Sequence, residues 1–245
     1  MTPPSPLRAQ ATRNGWLIDG DIDRHDPAAV TAALVQVTAT IAGKGGGRAE
    51  FWIHGVEPGD DEGPVGAGFT SYRDLFQLRV NLPVTDTRPP LEVRAFEPSD
   101  IDEFIDANNR AFAWHPEQGG LTRRDVEATM GEPWYRPEGF LLHRRNHEGT
   151  DRLAGFCWTK IHEPTATDPR LGEIYVIAVH PDFHGKGLGI PMTMAGLRWL
   201  ADQDIADGML YVESDNDAAN ATYERIGFER HRTDRAFEVH IAPID

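Results

Sequence analysis

The residues best placed to do chemistry lie in one short run. An apolar, strand-like stretch ends in Val179-His180-Pro181, and His184-Gly185-Lys186-Gly187-Leu188-Gly189 then opens a helix. Glycine adopts positive φ without a Cβ clash and lets the backbone come close to a ligand. The free N–H groups at a helix N-terminus carry the positive end of its dipole and point at an anion. Together these features make a cradle for a pyrophosphate, and the alternative for the glycines alone is a tight strand-to-helix turn. No Lys-Ser/Thr pair follows the last glycine, so the run is not a P-loop. Its place late in the chain does not suit the first βαβ unit of a dinucleotide fold either. A second glycine run, GKGGGR at 43–48, follows a helix instead of opening one and reads as a loop.

Other reactive side chains offer less. Cys157 is the lone cysteine and sits in the apolar run AGFCW, which reads as a small buried hydrophobe. It excludes an intramolecular disulfide and leaves a cysteine-based zinc site without ligands. His143 and His147, and likewise His180 and His184, are four residues apart, but neither pair has a third ligand in a helical motif. No metal is expected.

The elements that must carry the glycine loop can be read from pattern. LEVRAF (91–96) reads as a strand and 98–115 as a helix capped by Ser99, with an apolar face at Ile101, Phe104 and Ile105. Residues 139–145, 152–163 and 172–180 read as three successive strands. A helix follows the glycine loop, then a strand at 209–214, a helix at 217–227 closed by Gly227, and a strand at 228–241. Upstream, 27–42 is a helix starting at Pro27 after a possible Asp26 cap, and 49–55 is a strand. Residues 57–64 are an acidic turn and 81–90 a Pro-containing linker. Residues 1–14 read as a disordered arm. The whole predicts an α/β (α+β) fold with a mixed central sheet flanked by helices.

The 245 residues carry 24 Lys plus Arg against 39 Asp plus Glu, a formal charge of −15. Such a polyanion is repelled by phosphates, so nucleic acid and anionic membrane are poor partners. No stretch approaches the ~18 apolar residues of a membrane span. No secretory signal is expected from the N-terminal sequence. The expectation is a cytoplasmic, monomeric protein that acts on a small molecule.

A faint internal repeat runs at an offset of 210 − 51 = 159 residues. Gly68, Phe69, Arg73 and Val80 fall on Gly227, Phe228, Arg232 and Val239. The same offset puts HDPAAV (25–30) where the glycine loop would be, and Pro64 opposite Tyr223. The first copy therefore reads as the latter half of a domain that has lost its ligand loop.

VIAVHPDFHGKGLG, a helix, and then LYVESDNDAANATYERIGF resemble the Gcn5-related N-acetyltransferase (GNAT) family. Its pattern is a strand ending V-x-P, an Arg/Gln-x-x-Gly-x-Gly/Ala loop, and a later N-x-x-A-x-x-x-Y-E-x-x-G-F, here carried by Asn216, Ala219 and Tyr223 to Phe228. The resemblance covers most of 91–241. It implies a GNAT fold in which the loop and helix start (His184, Gly185, Lys186, Gly187, Leu188, Gly189, Ile190) hold the pyrophosphate of acetyl-CoA. It also implies that backbone N–H groups of Ile177, Ala178 and Val179 face the pantetheine arm and acetyl oxygen, with Asn216 flanking the cosubstrate. His184 stands at the usual Arg/Gln position. The grip is mainly through the backbone, so binding is expected to survive, with Lys186 adding charge.

NNRAFAWHPEQGG (108–120), AGFCWTKIHE (154–163), GEIYVIAVHP (172–181) and LYVESDN (210–216) are together similar to the mycothiol synthase family. Members are tandems of two such domains, the C-terminal one active, and acetylate the cysteinyl amine of a cysteine–glucosamine–inositol conjugate. The resemblance implies that Glu173 takes the ammonium proton and Tyr223 donates to the departing sulfur. It further implies that Glu117, Lys160, Glu173 and Tyr211 contact the acceptor, with Trp114 and His115 lining the cleft. Residues 15–90 are expected to form a truncated, degenerate GNAT-like half domain, and 91–245 the catalytic domain. Two alternatives stay open: an acetyltransferase for another amine or a protein N-terminus, and a non-catalytic acetyl-CoA-binding module.

Overall fold

The computed structural model describes residues 7–12, 14–114 and 118–244. Its strands are β1 (Arg8–Thr12), β2 (Gly15–Asp19), β3 (Gly47–Ile53), β4 (Thr70–Asn81), β5 (Arg94–Ala95), β6 (Phe140–His147), β7 (Thr150–His162), β8 (Leu171–Val179), β9 (Asp207–Glu213) and β10 (Glu229–Ile241). Its helices are α1 (Pro27–Ala42), α2 (Glu62–Gly66), α3 (Ile101–Ala111), α4 (Arg123–Met130), α5 (Gly189–Ala201) and α6 (Asp217–Ile226). The chain forms two compact units. One holds the described residues up to Gln77 with Val212–Asn216 and the segment from Arg230 on, and the other holds Leu78–Tyr211 and Asp217–Glu229. No single cut near residue 90 separates them, because β10, at the end of the chain, pairs antiparallel with β3 from Arg235↔Ile53 to Ile241↔Gly47.

In the first unit the strand order runs β1-β2-β3-β10-β4. Helix α1 starts at Pro27, where Asp26 accepts from the Ala29 N–H at 3.1 Å. Val30, Leu34, Val37 and Ile41 recur at helical spacing and are buried against Ile18, Ala49, Phe51, Ile53 and Phe237. Residues 8–12, expected in a disordered arm, instead pair with β2 from Arg8↔Asp19 to Thr12↔Gly15. Residues 1–6 and 13 of that arm lie outside the described residues. The acidic turn at 57–64 runs into a short helix at Glu62. Gly63 and Pro64 are buried there, and a Cβ on Gly63 would lie 2.7 Å from Val30, so close packing on α1 selects the glycine.

In the second unit the order is β9-β8-β7-β6-β5. One face of the sheet carries α3, whose Phe104 meets Phe140 and Phe156 edge-on at 4.9 Å, while Phe140 stacks on Trp158 at 4.3 Å. The other face carries α5 at Gly196, where a Cβ would run into the Cys157 sulfur. Cys157 is fully buried, and burial pushes its thiol well above the ordinary range, as suits a packing residue. Helix α3 is shorter than 98–115 and is not capped by Ser99. Pro98–Asp100 forms a 3-10 turn in which Glu97 and Asp100 make a reciprocal capping box. The strand expected over 91–96 shrinks to Arg94–Ala95 at the sheet edge.

The repeat survives in three dimensions. Adding 159 to the end of α1, Ala42, gives Ala201, the end of α5. The same shift carries β3, α2 and β4 onto β9, α6 and β10 to within a few residues at the element ends. The helix exits match too. Gly68 and Gly227 both have positive φ, and Phe69 N–H donates to Pro64 O at 3.0 Å as Phe228 N–H does to Tyr223 O at 3.1 Å.

Candidate active site

Strand β8 is paired with β7 along its whole length, but with parallel β9 only over Leu171↔Asp207, Gly172↔Gly208 and Glu173↔Met209. Beyond Glu173 the two strands part. The pairing with β7 also slips there: Trp158 faces Val176 and Thr159 faces Ile174, which leaves Tyr175 as an extra residue in a β-bulge. A bulge twists its strand and re-aims the residues after it. The result is an internal strand whose residues Val176 to Val179 are half-buried, not enclosed. Successive N–H groups of a strand alternate sides, and His180 N–H bonds Ala154 O beside β8. The N–H groups of Ile177 and Val179 thus lie along the parted edge, where a narrow extended ligand can approach them, while that of Ala178, expected there too, faces β7.

The glycine loop follows. Pro181–Phe183 makes a 3-10 turn, Gly185 and Gly187 adopt φ of +73° and +72°, and α5 starts at Gly189. A Cβ at Gly185 or Gly187 would meet nothing within 4 Å, so the requirement is conformational and the space beside the loop is open. Leu188 is buried and anchors the loop against Ala154 and Phe183. The His184 ring bonds Val179 O at 2.8 Å, tying the loop to the end of β8. Lys186 donates to Asp182 O at 3.0 Å and lies 4.6 Å above the Phe183 ring, so its first task is to brace the turn. Replacing Gly187 by Ala forces a left-handed residue that costs about 1–2 kcal/mol. A fall in Tm of about 2–8 °C is the expected result, measured by thermal unfolding.

Glu173 is buried at the point where β8 and β9 part, with 7% of its surface exposed. Its Oε2 lies 2.6 Å from His162 Nε2. Lys160 is its cross-strand partner, but the Lys160 ammonium does not pair with any described carboxylate. It sits 4.8 Å from the ring centre of Trp134 and 5.5 Å from that of Tyr175, held by cation–π attraction. Burial, with Glu173 and Glu132 nearby, pushes the Tyr175 phenol up and keeps it protonated. Tyr211 lies on β9 two residues past Met209, which is in register with Glu173, so strand alternation puts it on the same face of the parted strands. Glu117 and His115 lie outside the described residues. The segment that carries them is latched at its far end by Asn108 Nδ2 to Gln118 O and by a two-way bond between Asn109 and Leu121.

Tyr223, on α6, is 9% exposed and packs edge-on against Phe228. Burial, with a contribution from Cys157, pushes its phenol far above the ordinary range, so it stays protonated. Cys157 faces α5 while Glu173 shares the opposite face with Lys160. The base candidate and the acid candidate therefore belong to opposite faces of the sheet where β8 and β9 separate. Asn216 closes the turn after β9 with its N–H on Glu213 O. His162, Trp134 and Tyr175 escaped the sequence reading. Only the hairpin register, which sets K-x-H on β7 across from L-G-E on β8, could have exposed the histidine.

The equivalent region of the first unit is closed. There β2 and β3 stay paired at Trp16↔Ala49, Leu17↔Glu50 and Ile18↔Phe51, positions that the 159 offset maps onto Tyr175, Val176 and Ile177, beyond the last β8–β9 pair. The N-terminus of α1 is already met by the Asp26 carboxylate. An anion there would compete with a covalently tethered one. Among the described residues no group of three or more His, Cys, Asp or Glu is arranged to hold a metal ion.

Comparison with known proteins agrees with this geometry. The acetyltransferase (GNAT) family matches residues 101–228. A mycothiol acetyltransferase of Mycobacterium marinum is 42% identical over 223 residues, covering 84% of this chain and 68% of that protein. One of Streptomyces coelicolor is 40% identical over 232 residues, covering 87% and 72%. Among solved structures, a GCN5-related N-acetyltransferase from Sphaerobacter thermophilus superposes with a TM-score of 0.71 at 18% identity over 97% of this chain and 77% of that one. A tandem GNAT protein of the clavulanic acid pathway gives 0.66 at 13% identity over 94% and 76%. The chain belongs to the GNAT acetyltransferase family and, within it, to the mycothiol acetyltransferases.

Proposed function

We propose that the protein transfers an acetyl group from acetyl-CoA to the cysteinyl amine of the cysteine–glucosamine–inositol conjugate, the last step of mycothiol formation. The observation that carries this reading is the parting of β8 from β9 immediately after a buried carboxylate, Glu173. When bound, acetyl-CoA supplies an activated thioester. Main-chain amides of Ile177 and Val179 and of the 184–189 loop hold it, and the glycine φ values and open space beside the loop fit such a ligand. Glu173 takes the proton of the acceptor ammonium, and Tyr223 offers a proton on the other side of the opening. Lys160 and Tyr211, with Glu117 by resemblance, supply the polar contacts that a polyol needs, and Trp134 with Tyr175 gives an apolar wall beside Lys160. The closed first unit is read as a degenerate partner without a cosubstrate site. A cytoplasmic setting follows from the cosubstrate, and no described helix is long and apolar enough to cross a membrane.

The test is acetyl-CoA consumption with product mass, comparing the cysteinyl conjugate with simple amines and peptide N-termini. The conjugate should exceed the others in kcat/KM by at least about 10²-fold, because a site built for hydroxyls rejects analogues that leave its polar groups unpaired. Lys160→Ala or Tyr211→Phe should raise KM for the conjugate by about tenfold, about 1.4 kcal/mol. Equal rates on simple amines would move the assignment to another acceptor within the family.

A further inference from the structure

Glu173 is the deepest charged group at the opening, and its side chain has one hydrogen-bond partner among the described residues, His162. The two differ in exposure: the Glu173 side chain is 9% exposed and the His162 side chain 34%. We propose that His162 is the positioning residue for Glu173. It holds Oε2 and leaves Oε1 as the oxygen presented to the acceptor ammonium. This rests on the reading of Glu173 as the base.

The geometry favours that role in three ways. A separation of 2.6 Å is that of a charge-assisted bond, with Nε2–H donating to the carboxylate. A donor to the ionised form keeps a buried carboxylate available as a base. A carboxylate fixed at one oxygen also cannot rotate away from the amine, which preserves the reactive geometry. Register accounts for the pair. His162 is opposite Leu171 and Lys160 opposite Glu173, so the imidazole reaches Glu173 diagonally on one face while Lys160 is drawn aside onto Trp134 and Tyr175. Among the described residues the other titratable groups facing the pair are Lys160 on the same strand, Tyr175 on β8, Tyr211 on β9 and Glu132 in the turn after α4. In turnover one N–H bond of the ammonium breaks and one O–H bond forms at Oε1. Glu173 is then neutral, and it returns to the carboxylate when that proton passes to water.

The experiment compares His162→Ala, His162→Gln, Glu173→Gln and the double variant His162→Ala/Glu173→Gln with the wild type in the full chain, reading kcat, both KM values and Tm. His162→Ala should lower kcat by about tenfold or more and leave KM for acetyl-CoA unchanged. In the Glu173→Gln background His162→Ala should change kcat no further, because the carboxylate it positions is already gone. His162→Gln, which keeps an N–H for Oε2, should recover most of kcat. If His162→Ala does not fold, His162→Met fills the space without a donor and replaces it. A donor-free variant within twofold of wild-type kcat overturns the assignment. So does a loss of kcat in step with cosubstrate affinity and Tm, or one that persists undiminished in the Glu173→Gln background. An active Glu173→Gln would instead defeat the base itself, whereas an inactive Glu173→Gln beside a normal His162→Ala defeats only the positioning role.

Discussion

Glu173→Gln is expected to lower kcat at pH 7 by about 10²–10⁴-fold and to leave KM for acetyl-CoA where it was. The substitution keeps volume and shape in a site with 7% exposure, so a packing defect is not the cause of the loss. What disappears is the group that accepts the ammonium proton. An α-amino group titrates near ~7.7–8.0, so at pH 7 most of the acceptor is protonated and unreactive. The sign of the pH dependence follows. As pH rises past that range solvent removes the proton, the need for a base shrinks, and the ratio of wild-type to variant kcat falls. Single-turnover rates from pH 6.5 to 9.5 would show the deficit narrowing toward high pH. A Gln variant within about threefold of wild type at pH 7 would show that the amine reaches the thioester already deprotonated, with Glu173 only binding it.

How much of this is legible in the sequence depends on whether a feature is local. The glycine loop announces itself because positive φ at Gly185 and Gly187 restricts the residue type at those positions. Helix α1 is legible from Pro27, Asp26 and the spacing of its apolar face, and its predicted bounds match. Long strands such as β7 and β8 read correctly because their apolar runs are continuous. Short elements fail. Helix α4 buries only Val126, so its apolar signal is nearly absent, although Thr122 and Asp125 spell a capping box that could have been read. Strand β1 carries no hydrophobic pattern in RAQAT and exists because β2 pairs with it. The partners of the site are tertiary by nature. A one-residue slip on β8 decides which side chains meet, so the His162–Glu173 contact and the capture of Lys160 by Trp134 and Tyr175 depend on a bulge that no residue pattern declares.

Tyr223→Phe is the other large effect, with an expected fall in kcat of about 10²-fold and unchanged KM values. Relative basicity decides how the phenol can help the departing sulfur. A free thiol loses its proton near ~8.5 and a free phenol near ~10, so in water a phenol is a poor acid toward a thiolate. Burial acts on both groups. Cys157, a neighbour of Tyr223, has its own thiol pushed far up by the same desolvation that raises the phenol. A thiolate developing beside Tyr223 meets the same apolar surroundings and becomes a correspondingly stronger base. A shift common to both groups leaves their difference unchanged, so the phenol keeps its proton through the physiological range and donates it, as a hydrogen bond that strengthens with the charge on sulfur, only while the C–S bond breaks. Loss of the hydroxyl should therefore weigh most on substrates with the most basic leaving thiol. Acetyl thioesters of decreasing thiol acidity, compared in wild type and Tyr223→Phe, should give a steeper dependence of kcat on leaving-group acidity in the variant. Parallel slopes would show that the phenol gives no proton to sulfur, and that its place against Phe228 is a matter of packing.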